Sequence, residues 1–357
     1  MKLIRFSCGD STLRFGVVIG NHAVAFATLQ QRSGITRPGL GDSRAYLAGL
    51  PETERAAREL AAWGEAQLGE CPEGERPRLQ DVRLHEPIEV VALFDFGLTP
   101  RHLKNSAETM MKYEKDNPQT APILQAFAKA LLAKPAAPPQ GVPERLSYYK
   151  CNMNSIVGDG ETIPWPLYTS RLDIEPELAV VYGNAQQPVA GFCIFNDVSA
   201  RDVQAQEFIG GFCLTKDMDK GNQLGPYLVT ADEVGDPYAL EVVVKVNGRV
   251  RYQGSTAEID HKAEDVFAWL GFISAIHPGT VMGFGTIPDC TGLDHDDFID
   301  PGAEIEIRFE RLGSLRCRFA EPARKLLPSR WPLRPALQRF HGQPAGTTSA
   351  DASQTSP

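Results

Sequence analysis

Residues 170–183 read SRLDIEPELAVVYG, and the fold turns on how this stretch is taken. Asp173, Glu175 and Glu177 share one parity, so on a β-strand their side chains point to one face, with Ile174 and Leu178 toward apolar packing on the other. Like charges gathered in this way repel, and burial makes the repulsion costly unless a cation or a proton offsets it. Taken alone, the same pattern also describes a solvated strand face. The continuation into Leu178-Ala179-Val180-Val181 argues for burial, because an apolar strand end belongs in a core, and buried carboxylates need a partner.

Outward from this strand, β-type runs dominate. AGFCIFND (190–197), GPYLVT (225–230) and YALEVVVKV (238–246) follow, the last entering an Asn247-Gly248 hairpin turn before RVRYQ. A helix is expected over Ala263–Ile276, ended by His277-Pro278-Gly279, and then strands return in VMGFGTI and AEIEIRFERLGSLRCRF. On the N-terminal side, alternation from Lys2 to Phe26 across Gly20-Asn21 reads as a hairpin opening a small β-rich module, with a surface helix over Pro51–Leu68. Between the two lie VVALFDF, RHLKNSAETMMKYEK, an Ala-rich helix over Ile123–Leu132 and the Pro-rich KPAAPPQGVP, together an inserted lid. The expected fold is mainly β with α additions (α+β): a module over 1–85, a catalytic domain over 86–325 with a lid at about 100–147, and an extension over 326–357. The polar tail past Arg330, ending GTTSADASQTSP, is expected to be disordered.

Bulk properties exclude several classes. With 42% hydrophobic and 23% charged residues and no apolar run near the roughly 18 residues that span a bilayer, the 357-residue chain reads as neither disordered nor membrane-embedded. A formal charge of −9 without a basic stripe argues against nucleic acid as a partner. Seven cysteines with no CxxC pair do not form a disulfide framework, and MKLIRFSCGD resembles neither a signal nor a transit peptide, so the cytoplasm is the expected compartment.

Two further segments carry chemistry. In FDFGLTPRH, Asp95 closes an apolar strand, and His102 is expected in a loop beyond Pro100. In FNDVSARDVQ, Asp197 stands at a strand end, Ser199 and Asp202 have the spacing of a capping box, and Arg201 and Gln204 fall one helical turn apart on a common side. A guanidinium beside an amide suits a carboxylate ligand, although an ordinary polar helix start reads the same way. Oxygen-only ligands favour a hard cation, Mg²⁺ or Mn²⁺ first and Ca²⁺ next, over zinc.

DFGLTPRH, LDIEPELAVVYG, FNDVSARDVQ, LGPYLVT and FGTIPDC occur in the order seen in the fumarylacetoacetate hydrolase family, and over about residues 90–320 the chain resembles that family. The resemblance implies a rolled β-sheet catalytic domain with a smaller N-terminal module, a homodimer, and metal ligands Asp95, Glu175, Glu177 and Asp197. It further implies His102 as general base, Lys216 as electrostatic stabiliser with Lys220 close by in sequence, and Tyr149, Arg201, Gln204 and Thr286 as substrate contacts. Two departures stand out. The glutamate that smaller members place three residues after the histidine is Asn105 here, while Glu108 falls on another helix face. The segment after the GTI turn offers Asp294, His295, Asp296, Asp297 and Asp300 in place of a glutamate, and spacing favours Asp300. The implied activity is metal-dependent hydrolysis of a carbon–carbon bond in a β-diketone or acylpyruvate-type 2-oxo acid. Hydration, decarboxylation or isomerisation at the same site is the alternative, and a catalytically silent metal- or ligand-binding member is the second.

Overall fold

The computed structural model describes residues 1–10, 12–133 and 137–341. Pro176–Tyr182 is a central strand, antiparallel to Val189–Asp197 on one side and to Thr280–Thr286 on the other. Every residue of it except Tyr182 is buried, so its apolar run is continuous rather than alternating. Its two faces feed different cores. Leu178 and Val180 pack with Val242, Val244, Ile305 and Ile307, whereas Ala179 and Val181 pack with Phe26, Leu47, Leu60 and Leu3, as the two-residue strand period requires.

Among the described residues the larger sheet has eleven strands. Its main path runs His22–Ala25, Arg14–Ile19, Lys2–Ser7, Asn222–Val229, Val189–Asp197, Pro176–Tyr182, Thr280–Thr286, Ala92–Phe96 and Tyr148–Lys150. A five-stranded sheet, in the order Arg249–Ser255, Glu241–Val246, Glu304–Phe309, Gly313–Phe319 and Glu161–Ile163, covers the Leu178 face. The two expected tight turns are present, at Gly20-Asn21 with Ile19 opposite His22, and at Asn247-Gly248 with Val246 opposite Arg249. The N-terminal hairpin joins the main sheet through Lys2 opposite Val229 and Leu3 opposite Leu228. Helix Glu52–Gln67 buries Thr53, Ala57, Leu60, Ala61 and Gly64, an amphipathic stripe that closes the Ala179 face. One core therefore runs across residue 85.

Three expectations are corrected. His102 lies on helix Pro100–Glu114 rather than in a loop, because Pro100 sits in the first turn, where its missing N–H costs nothing. The helix expected over Ala263–Ile276 ends at Ile273, with Ser274 in extended backbone. The extension past Arg330 is packed as far as His341: Trp331 is buried, its ring 4.2 Å from that of Tyr113 and its indole N–H on Glu114 at 2.7 Å. Leu337 of the same segment is buried in the main core, with Leu333 and Phe340 packed against it. Residues 342–357, where disorder is also expected, lie outside the described residues.

Candidate metal centre and active site

Four carboxylates meet at one end of the central strand. Glu177 stands opposite Thr286 on the neighbouring strand, Asp95 opposite Gly283 on the next, and Asp197 closes Val189–Asp197, with its N–H on the Glu175 carbonyl at 3.1 Å. Asp95, Glu175, Glu177 and Asp197 are all buried, and one oxygen from each lies within 4.8 Å of the others. The two glycines of GFGTI, Gly283 and Gly285, make room for this. A Cβ on Gly283 would meet Glu177 Oε2 at 2.5 Å, and Gly285, at φ +92°, places its N–H 3.0 Å from the same oxygen.

The electrostatics follow from burial. Burial, with the repulsion of Asp95 first among the charges, pushes Glu177 well above the ordinary carboxylate range. Asp197 and Asp95 are also raised by burial, which outweighs the attraction of Lys216. Glu175 goes the other way: burial would raise it, but Arg201, Lys216 and His102 hold it well below its usual value. Lys216 is buried against Glu175 and Asp197 and is one ammonium among four acids. Asp95 Oδ1 and Asp197 Oδ1 are buried without a hydrogen-bond partner. Excess negative charge, orphaned hard oxygen donors and a spacing that one ion can bridge fit a divalent cation.

The sequence trio does not converge in full. Asp173 turns away, accepting from the Gly292 and Leu293 N–H groups at 2.8 and 3.0 Å and from Arg201 Nε at 3.0 Å. The break between strands Leu172–Asp173 and Pro176–Tyr182 undoes the shared parity. Arg201 Nη1 reaches Glu175 at 2.5 Å and the Gln204 side-chain oxygen at 3.2 Å, while its Nη2 is buried without a partner. Arg201 and Gln204 do share a helix face, in Arg201–Glu207. The expected Ser199/Asp202 capping box is absent: Ser199 pairs with Asp173 in a short strand, and Asp202 accepts from Thr169, Ser170 and Ser329.

His102 faces this cluster from helix Pro100–Glu114, its Nε2 3.6 Å from Glu175 Oε1 and 3.2 Å from Ser106 Oγ. Its Nδ1 lies 3.0 Å from Asp294, buried in the short helix Gly292–His295. An ionised carboxylate can only accept, so Nδ1 carries the hydrogen and Nε2 is the working atom. Burial would lower the imidazole pKa, but Asp294 and Glu175 outweigh it and raise it to about 9. Asp300 is corrected by this geometry: it pairs with Arg334 at the surface, and Asp294 makes the contact. Only a cap hints at Asp294 beforehand, a Thr291 hydroxyl accepting from its N–H at 3.1 Å. Glu108 is exposed beside Lys104. Tyr149 donates its hydroxyl to Asp197, and Thr286 donates to Glu177 at 3.3 Å. Lys220, on Glu161 at 2.7 Å, is outside the cluster.

Known proteins give the family. Human mitochondrial oxaloacetate tautomerase FAHD2A is 35% identical over 182 residues, 48% of this chain and 58% of that protein. An uncharacterised protein of Staphylococcus haemolyticus is 30% identical over 189 residues, 50% of this chain and 62% of its own, so the chain spans about three fifths of these relatives' length. The crystal structure of maleylpyruvate hydrolase from Sphingobium sp. SYK-6 in complex with manganese (II) ion and pyruvate shares the fold, with a TM-score of 0.58 at 19% identity, covering 90% of this chain and 100% of that one. No helix among the described residues is long and apolar enough to cross a membrane. The family model for the fumarylacetoacetate (FAA) hydrolase C-terminal domain matches residues 123–320, the larger part of the sequence and most of the site just described, and the chain belongs to the fumarylacetoacetate hydrolase family.

Proposed function

We propose that this protein is a divalent-metal-dependent hydrolase that cleaves a carbon–carbon bond in an acylpyruvate-type 2-oxo acid. The observation that carries the reading is the oriented His102–Asp294 pair facing four buried carboxylates. Held by Asp95, Glu175, Glu177 and Asp197, a Mg²⁺ or Mn²⁺ ion would supply Lewis acidity toward the carbonyl oxygens of the substrate. The unpartnered Arg201 Nη2 and Gln204 take the substrate carboxylate, and Tyr149 and Thr286 border it.

His102 Nε2 accepts a proton from water as the oxygen adds to the distal carbonyl, and Asp294 fixes the ring that receives it. The bond from that carbonyl carbon to the methylene then breaks, and its electron pair takes up the proton held by His102. One carboxylic acid and pyruvate leave. Lys216 offsets the charge that grows during addition. With a pKa of about 9 the ring is largely protonated at neutral pH, and a cation held by Glu175 would weaken that carboxylate's pull and favour the neutral ring that this step needs.

The human relative's name favours a second reading, keto–enol interconversion of a 2-oxo acid, in which His102 moves a proton without water attack. Enzyme with Mg²⁺ or Mn²⁺ and acetylpyruvate distinguishes the two. Hydrolysis releases pyruvate, detected by coupled oxidation of NADH, whereas proton exchange at the methylene without pyruvate release selects the tautomerase reading and overturns the first. A homodimer is part of this proposal, and light scattering at micromolar concentration that returns the 39.1 kDa monomer counts against it.

A further inference from the structure

The helix that carries Arg201 and Gln204 ends in Phe208, which keeps helical backbone as its cap. Positions 201, 204 and 208 lie on one helix face, so Phe208 projects on the side of the carboxylate-binding pair, about 10 Å beyond Arg201 and about 6 Å beyond Gln204 along the axis at 1.5 Å per residue. Aromatic rings connect it back to the metal centre. Tyr149, whose hydroxyl bonds Asp197, meets Phe212 edge-on at 5.5 Å; Phe212 meets Phe208 at 5.7 Å; and Phe208 meets Phe127 of the lid helix Ala121–Leu132 at 4.7 Å. Phe127, Phe208 and Phe212 are half-buried, and Ile209 beside them is 79% exposed.

Beyond Arg201, which takes the head carboxylate, the charges of residues 207–220 are engaged or of the wrong sign for an anion. Lys216 is held by Glu175 and Asp197, and Lys220 by Glu161. Glu207 accepts from the Leu214 and Thr215 N–H groups at 2.9 and 2.8 Å, and Asp217 and Asp219 are exposed acids. A substrate ending in a second carboxylate would lose its water here and find no cation of the segment in return. An apolar or aromatic end would lie on ring faces and edges already arranged to meet it.

We infer that the acyl part of the substrate ends in an uncharged apolar group, best an aromatic ring, and that Phe208 and Phe212 are the residues that select it. This inference rests on the 2-oxo acid reading of the head group given above. Its test is binding rather than turnover, with the full chain loaded with Mn²⁺ and titrated calorimetrically with 4-phenyl-2-oxobutanoate and with 2-oxoadipate. These share the 2-oxo acid head and differ in the tail. The phenyl compound binds about tenfold more tightly or better. Phe208→Ala and Phe212→Ala bring that ratio toward one, Phe212→Leu keeps most of it, and Phe208→Arg inverts it, each variant being checked for wild-type melting. Equal or tighter binding of 2-oxoadipate by the wild type, or a ratio unchanged in both alanine variants, overturns the inference and leaves the head-group reading standing. Failure of both ligands to bind removes the 2-oxo acid reading and the tail selection with it.

Discussion

The two halves of the site are held by different forces. Asp95, Glu177 and Asp197 sit on paired strands, so their positions are set by backbone hydrogen bonds in the middle of a sheet buried on both sides. His102 rides on helix Pro100–Glu114, whose seat is made by side chains: His102 on Asp294, Tyr113 on Asp296, and Glu114 on Trp331 of the C-terminal segment. Backbone ladders tolerate the repulsion of four carboxylates, because relieving it would mean unpairing the sheet. A helix seated by a few side chains can shift on its own. The rigid half suits an ion, and the separately seated half suits a group that must meet a substrate arriving between the two.

The largest expected effect breaks the rigid half chemically without disturbing it physically. Glu177→Gln keeps the shape but removes the oxygen that could ionise to hold a cation, so metal-dependent activity falls by about 10³-fold or more. Its melting temperature in EDTA rises by roughly 2–4 °C, since a carboxyl that must give up its charge to be buried beside Asp95 has gone. A variant that melts lower than wild type in EDTA would show that Glu177 stabilises the sheet. His102→Ala attacks the other half: kcat falls by roughly 10²- to 10⁴-fold while Mn²⁺ binding, measured calorimetrically, stays within error. Near-normal kcat would remove His102 from the mechanism.

Trp331→Ala separates the seat from the chemistry. The cavity and the loss of the Glu114 partner cost about 2–4 kcal/mol locally, and kcat falls by roughly tenfold as the helix carrying His102 loses its register. Mn²⁺ affinity is unchanged. Limited proteolysis should cut first between residues 115 and 120, where helices Pro100–Glu114 and Ala121–Leu132 join, and cleavage equal to wild type would refute Trp331 as the anchor of the first helix. The smallest effect tests the contact of strand Glu161–Ile163 with Arg83 and Lys220, where burial would raise the Glu161 carboxyl but Lys220 and Arg83 hold it below its usual value. A depressed folded-state pKa gives stability that is present above the unfolded value of about 4.3 and is lost as pH falls through the folded one. Wild type should therefore exceed Glu161→Gln by under about 1 kcal/mol at pH 7, and the gap should close near pH 3 in urea melts. A gap that persists at pH 3 would mean the contact acts through packing rather than charge.

How much of this was legible beforehand depends on the range of the interaction. Strand periodicity located Pro176–Tyr182 and the Asn247-Gly248 turn, because both are read within a few residues. The four carboxylates that converge were singled out from local placement, at strand ends and in alternation, together with the resemblance to a family. Spacing failed for the partner of His102, since 192 residues separate it from Asp294, and which of five neighbouring candidates faces the ring is fixed by a short helix cap rather than by count. Parity failed for Asp173 because the strand breaks between it and Glu177, turning one acid toward Arg201.

The sequence by itself determined the strand pattern, the acidic character of the centre and the pairing of Arg201 with Gln204 on one helix face, all consequences of side-chain periods of two and 3.6 residues. Only the tertiary structure decided which acids converge, which one meets His102, and that Trp331 packs against helix Pro100–Glu114. Those contacts join elements far apart in the chain, and their energies come from burial and charge in a common interior, which no local period encodes.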